Sequence, residues 1–450
     1  MLRAALALGL FAALAGGAPD AAANGRNPGT STIHFRTGHE TDIVVGMTFG
    51  LITSHDGGAT WRWMCEDAVG YGGLFDPVYG YAASGTLFAT TFKGLKATRD
   101  GCVFAPLASG MVFASTDALG PDGTYYYGAS DPTDGKIYKS TDDGVSFGSG
   151  VTPPNGLNND WWQSITVAPS DVQRVYLMGY RFDADNHKLF LLFKSTDAGD
   201  SYTPLPSTDF VTSQSSVIEV VGIDRTNPDI LFAHVTQQDG MSQHGLYRSS
   251  DGGAHWTSLF TVTDRAFSFL LRSNGDLLIG TELAGVFLSH DAGTTWLPIR
   301  TAPHINCLAE NALGEVWACT QNYAVQAGPP SDHAGLMKST DAVRWAPVLR
   351  YEDIQAPVAC PAGSVQHDTC EVDTWCGLRT QLGITSTVLA CAPPVDAPPA
   401  LDAPVLQPPG KGGGCCDAGS GAPGALLLGL GGALAWLRRP ARGKRPSKPC

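Results

Sequence analysis

Four groups of residues in this chain have the types and spacing that chemistry needs. Asp76 and Asp160 lie in candidate face loops, and glycoside hydrolysis requires two carboxyl groups a few ångströms apart, although spacing along the chain leaves their convergence open. The run Pro153-Pro-Asn-Gly-Leu-Asn158-Asn159-Asp160-Trp161-Trp162 joins amides and a carboxylate to two indoles, the groups that hydrogen-bond to and stack on sugars. Its other reading is that one or both tryptophans begin a strand and pack between sheets. Thr236 to His244, with Gln237 and His244, and Thr320 to His333, with Tyr323, are long and amide-rich, which suits recognition loops and solvated insertions equally. The fourth group is the octapeptide SHDGGATW, Ser54 to Trp61, which concentrates reactive residue types in one short stretch.

No dinucleotide fingerprint, P-loop, G-x-S-x-G or H-E-x-x-H sequence occurs, so no cofactor is expected. Asp183-Ala-Asp185-Asn186-His187 begins like a calcium loop but lacks that loop's glycine and distal glutamate, and hairpin turns use the same residues. No metal site is expected there.

The octapeptide recurs. Full copies of S-x-D-x-G-x-x-aromatic start at 54, 140, 195, 249 and 289, and copies one residue short start at 98 and 339, giving a period of 40 to 55 residues. The aspartates concerned are Asp56, Asp100, Asp142, Asp197, Asp251, Asp291 and Asp341. Each copy lies between two short apolar or alternating runs, such as KIYKS before it or WLPI after it, so it is a hairpin turn. Two more strand-like runs precede each, for example AFSFLLRS and DLLIGTE joined by Asn274-Gly275. Four strands per unit and seven units predict an all-β, seven-bladed β-propeller over residues 31–357. A catalytic loop has no reason to occur seven times, so these aspartates are assigned to structure.

The octapeptide resembles the Asp-box, or bacterial neuraminidase repeat, of β-propellers. The resemblance covers roughly Ser31 to Pro357. It implies a fold rather than an activity, because sialidases, xyloglucan hydrolases, sorting receptors and photosystem II assembly-factor-like proteins share it. It also implies that the box lies between third and fourth strands, away from the ligand-binding face. Seven units best resemble the single propellers of the assembly-factor-like group. The sialidase F/Y-R-I/L-P motif has its nearest match in Phe35-Arg36-Thr37-Gly38, without the proline. The xyloglucan hydrolases bind substrate between two propellers, and this chain has room for one.

The chain begins with a short basic region at Arg3, an apolar run and small residues at Ala21 to Ala23, which predicts a signal peptide over residues 1–23. Eleven cysteines then point to disulfides. Cys307 and Cys319 flank a hairpin whose three-residue turn, Ala312 to Gly314, sets them opposite each other, and are expected to bridge; Cys65 and Cys102 are a looser candidate pair. Cys360, Cys370, Cys376 and Cys391 fall in a cysteine-rich segment, 358–391, that could carry two bridges. A metal is the alternative, since His367 and Asp368 lie among them, but the spacing fits no zinc pattern.

Residues 392–413 form a Pro/Gly-rich linker, and 414–450 combine Cys415 and Cys416, an apolar stretch from Ala422 to Leu437 and a basic tail. This end resembles the MYXO-CTERM sorting tag of myxobacterial surface proteins. That resemblance implies removal of the helix and tail, with anchoring near Cys415 and Cys416; a retained membrane helix is the alternative. Formal net charge is −13, and −19 without the six basic residues after Leu437, which argues against nucleic acid as a partner. The expectation is an exported, cell-surface (outer-membrane) propeller, joined to the membrane through its tag, that binds an extracellular glycan or protein without catalysis. A glycoside hydrolase, sialidase-like or xyloglucanase-like, is the alternative.

Overall fold

Each repeat folds into one antiparallel sheet. In a computed structural model the described residues are 26–391, except 73–74, 108–112, 132, 158, 238–243, 326–327 and 390. The signal peptide, linker and tag, with Cys415, Cys416 and the apolar stretch, lie outside them, as does Asn158. Blade 1 comprises Thr30–Arg36, His39–Met47, Gly50–Ser54 and Arg62–Met64; blade 2 Tyr79–Tyr81, Leu87–Thr91, Gly94–Thr98 and Ala105–Pro106. Blade 3 comprises Ala114–Leu119, Tyr125–Ala129 and Ile137–Ser140; blade 4 Trp161–Ala168, Asp171–Phe182, Lys188–Ser195 and Thr203–Pro204. Blade 5 comprises Ser216–Ile223, Leu231–Gln237, His244–Ser249 and Thr257–Val262; blade 6 Ala266–Leu271, Leu277–Thr281, Val286–Ser289 and Leu297–Ile299; blade 7 Cys307–Glu310, Val316–Cys319, Leu336–Ser339 and Ala346–Leu349.

The molecule is thus a seven-bladed β-propeller. Second strands such as Leu87–Thr91, Leu277–Thr281 and Val316–Cys319 are buried at every residue, because neighbouring blades cover both faces of each sheet. Such strands read as unbroken apolar or small-residue runs rather than alternating ones. Blade 3 departs from the expected four strands: its fourth is reduced to a bridge between Ile137 and Val151. Gly148, Gly150, Pro153 and Pro154 follow its turn, and neither residue type favours a paired strand.

Ring closure uses no shared blade, since blade 7 is built from one continuous stretch. Blade 1's first strand packs on blade 7's, and Thr30 Oγ1 donates to Gly335 O at 2.8 Å across the seam. The chain then returns as Ala356–Pro357, parallel to Arg62–Met64 on blade 1's outer edge, with Val358 N donating to Trp63 O at 2.8 Å. A π-helical stretch, Gln366–Thr374, runs into an α-helix, Trp375–Gln381. It borrows the propeller's core: Trp375 is fully buried with its ring 5.8 Å from that of Trp63.

Cys307 is bonded to Cys319, and Cys376 to Cys391. The expected Cys65–Cys102 pair is corrected. Cys65 bonds Cys370 and Cys102 bonds Cys360, because the returning chain lies along the edges of the first two blades. Only one bridge is therefore internal to the 358–391 segment, and two bolt it to the propeller. With all four of its cysteines so bonded, none can ligate a metal, and His367 Nδ1 instead lies 2.6 Å from Asp368 Oδ1. Among the described residues, no helix is long and apolar enough to cross a membrane.

Candidate functional site

Strand order gives the ring two unlike rims. The octapeptide turns, linking third to fourth strands, form the lower rim; the turns between second and third strands, with the blade-to-blade connections, form the upper one.

In the octapeptide turns of the lower rim the repeated aspartate is engaged by groups of its own turn. In the first turn Ser54 Oγ donates to Asp56 Oδ1 (2.8 Å) and accepts from Gly58 N (2.9 Å), while Asp56 accepts from Thr60 N (2.8 Å) and Thr60 Oγ1 (2.6 Å). The same net recurs around Asp142, Asp197 and Asp291, and His255 replaces the hydroxyl at Asp251. These bonds, led by the threonine or serine hydroxyl, hold Asp56, Asp142 and Asp291 at about 2. The full turns place two consecutive residues in the left-handed region, such as Ala292 (φ 56°) and Gly293 (φ 89°). The short turns need only one, which Ala342 (φ 58°) supplies where the glycine is missing. Asp100 and Asp341 there accept from two backbone N–H groups each.

The upper rim carries a run of aromatic rings across blades 2 to 4. Phe75 lies 4.7 Å from Phe92 and 5.0 Å from Phe113; Phe92 and Phe113 stack at 4.4 Å; Phe113 is 5.6 Å from Trp161. Trp161 and Tyr180 are parallel within 9° at 6.4 Å, and Phe182 meets Tyr180 edge-on at 5.5 Å. Phe113 is a buried keystone, Phe75, Trp161 and Tyr180 are half-buried, and Phe92 and Phe182 are 54% and 42% exposed. Each aromatic contact contributes about 0.5–1.5 kcal/mol beyond its buried area, so the run is a stiff surface. Beneath it the Lys188 ammonium lies 4.0 Å from the Tyr180 ring and donates to Ser216 O at 2.5 Å; burial lowers its pKa.

The two tryptophans of the sequence divide between the two readings offered for them. Trp161 and Trp162 open the first strand of blade 4, where successive side chains point to opposite faces. Trp161 joins the ring surface, whereas Trp162 is 1% exposed, donates from Nε1 to Gly135 O (3.0 Å) and packs on Phe193. Asn159 is exposed beside them. Phe75, Phe92, Phe113, Tyr180 and Phe182 were not singled out from sequence. Their only signal is that each stands at a strand end or connection on the upper side.

Asp76 and Asp160 are both engaged by arginines. Asp76 accepts from Arg26 Nη1 (2.9 Å) and Nη2 (2.6 Å). Asp160, fully buried, accepts from Arg181 Nη2 and Leu157 N, each at 3.0 Å, and burial raises its pKa despite them. Elsewhere on this rim, His244 is 5% exposed, with its ring 6.4 Å from that of His234. Tyr323 donates to Leu382 O at 2.9 Å and lies edge-on to Tyr351, fastening the C-terminal segment. Gln237 ends the second strand of blade 5. In the 183–187 turn Asp183 accepts from Asp185 N (2.9 Å) and His187 N (2.8 Å), a hairpin net. Among the described residues no group of three or more His, Cys, Asp or Glu is arranged to hold a metal.

The ring axis holds a cavity of about 790 Å³ lined by residues including His34, Phe35, Tyr81, Asp117, Arg225 and Glu310. Burial pushes Asp117, which accepts from Tyr125 OH at 2.7 Å, up to about 6, and Glu219, on blade 5's inner strand, up to about 7. Glu310 is neutralised by Arg272 Nε at 3.1 Å and Arg225 at 3.5 Å.

No family model matches the chain. A xyloglucanase of Paenibacillus sp. is 26% identical over 255 residues, 53% of this chain and 23% of its own length. This chain thus spans about a quarter of that relative. Similar solved structures include the extracellular domain of a one-component system of B. thetaiotaomicron (17% identity, 65% of this chain and 37% of that one, TM-score 0.48). YCF48 from Cyanidioschyzon merolae is another (12% identity, 65% of this chain and 92% of that one, TM-score 0.42).

Proposed function

We propose that this protein is an exported, surface-displayed propeller that binds a glycan, without catalysis, on the upper-rim rings from Phe75 to Phe182. The carrying observation is the parallel Trp161–Tyr180 pair with Phe92 and Phe182 exposed on either side. Exposed ring faces stack on the C–H faces of pyranoses, and the exposed amide of Asn159 is available for hydrogen bonds beside them. Export is supported by four disulfides, which persist in oxidising compartments. The signal peptide, the 392–413 linker and a sorting tag with Cys415 and Cys416 complete this reading.

The test is affinity electrophoresis of the purified protein through a panel of polysaccharides. At least one glycan should retard the wild type, and Trp161→Ala should weaken that retardation about tenfold, ~1.4 kcal/mol. Retardation unchanged by Trp161→Ala and Phe182→Ala together would remove the rings from the reading.

The xyloglucanase similarity favours a second reading, a glycoside hydrolase. Asp76 and Asp160 suit it poorly, because an arginine engages each. A general acid needs a raised pKa, a condition met by Asp117 and Glu219 inside the ring. Release of reducing sugar that Asp117→Asn or Glu219→Gln abolishes would replace binding by hydrolysis.

A further inference from the structure

Trp161 and Tyr180 are cross-strand partners at the very start of the blade 4 ladder, where a strand pair is free to fray. One step further out, on the opposite face of the sheet, stand Asp160 and Arg181. We infer that the Asp160–Arg181 pair is a positioning device that holds the Trp161 and Tyr180 rings parallel on the upper rim. This rests on the glycan reading for its purpose, though not for its geometry.

Arg181 makes three contacts there. Its Nη2 donates to Asp160 Oδ2 at 3.0 Å, its Nη1 donates to Asn155 O at 2.9 Å, and its Nε stands 2.8 Å from Asp160 Oδ1 as a charge contact rather than an aligned hydrogen bond. Asp160 in turn accepts from Leu157 N at 3.0 Å, and its own N–H donates to Leu157 O at 3.1 Å. One guanidinium therefore ties the 155–160 connection to the second strand of blade 4, immediately behind the two rings. Side-chain alternation makes this a lever: the residues next to the pair on each strand are the ring residues themselves.

Stability alone does not explain the pair. Asp160 is fully buried and Arg181 nearly so, at 0% and 13% side-chain exposure. Burying two charges costs desolvation that their attraction seldom recovers in full, and apolar residues of similar volume commonly do as well or better. What apolar residues cannot do is fix direction. A forked guanidinium with three oxygen partners admits one orientation of the strand end, whereas apolar packing admits several.

The test uses the full chain and begins without ligand. The near-ultraviolet circular dichroism difference between wild type and Trp161→Phe isolates the signal of the Trp161–Tyr180 pair. In the double variant Asp160→Leu/Arg181→Met that difference band should vanish while unfolding stays cooperative, with a midpoint at or near the wild-type value. A retained band overturns the inference. Arg181→Lys, which keeps the charge but loses the fork, should fold and show a reduced band; a full band there also overturns it. Cellohexaose is the binding probe. Where Trp161→Ala weakens its binding, the double variant should weaken it about tenfold as well. Unchanged affinity in the double variant alone refutes positioning; unchanged affinity in Trp161→Ala refutes the glycan reading and leaves the dichroism to decide the pair.

Discussion

The two rims of the ring are built from the same strands and differ in how their polar and aromatic groups are used. At the lower rim the aspartate of each turn accepts from its own turn's leading serine or threonine hydroxyl and backbone N–H groups, and Trp61, Trp256 and Trp296 fold back to donate to the turn's own carbonyls. At the upper rim no two connections share a sequence, and the rings from Phe75 to Phe182 bind one another across three blades while leaving faces uncovered. Repetition thus marks the side of the molecule whose chemistry is closed upon itself. A ligand finds uncommitted groups only where the repeat is absent.

The sharpest way to break that contrast is to exchange neighbours across the blade 4 strand. Trp162→Ala should cost ~3–5 kcal/mol in urea unfolding, the cost of emptying a packed core site. Trp161→Ala should cost less, about 1–3 kcal/mol for its two ring contacts, and should weaken binding about tenfold, which Trp162→Ala has no direct reason to do. Equal costs would erase the division between core and surface indole. Next in size are the bridges. Cys65→Ser/Cys370→Ser opens a closure spanning 305 residues and should cost about 2–4 kcal/mol, more than Cys307→Ser/Cys319→Ser, whose cysteines are 12 apart.

Blade 5 supplies a pH test of opposed buried groups. Burial, with His244 nearby, lowers His234 to about 4, and burial raises Glu219, its partner across the blade 5 strands, to about 7. The His234 contribution is present above the unfolded value near 6.5 and is lost as pH falls through 4. The Glu219 contribution is present below its unfolded value near 4.5 and is lost as pH rises through 7. The two offset each other in the wild type. Glu219→Gln should therefore unmask a loss of stability on acidification from pH 6.5 to 4, with a slope approaching ~1.4 kcal/mol per pH unit. A variant as flat as the wild type would contradict the offset. Smallest is a single lower-rim turn: Asp142→Ala should lower the unfolding midpoint only slightly and leave glycan binding unchanged, since its bonds are local and exposed. A change in binding there would mean that the rims communicate.

Much of this architecture is legible in the amino-acid sequence. The octapeptide spacing counted the blades, because a turn with left-handed residues and a self-satisfying aspartate is a local object whose sequence travels with it. The Cys307–Cys319 bridge was legible for the same reason, its two halves facing each other across a short hairpin. Blade 3's missing fourth strand was written in Gly148, Gly150 and the two prolines, though the repeat count hid it.

What the sequence determined by itself, then, was everything carried by contacts within one repeat. Only the tertiary structure decided the partners of Cys65 and Cys102, which come from 305 and 258 residues away when the chain returns along blade 1. It alone chose between Trp161 and Trp162, since strand alternation fixes that they differ but the packing of blade 4 on blade 3 fixes which is buried. It alone assembled the ring surface from residues spread between 75 and 182. The physical reason is ring closure: a propeller's inner core and upper rim are made of non-local contacts, and these exist only once the blades have packed side by side.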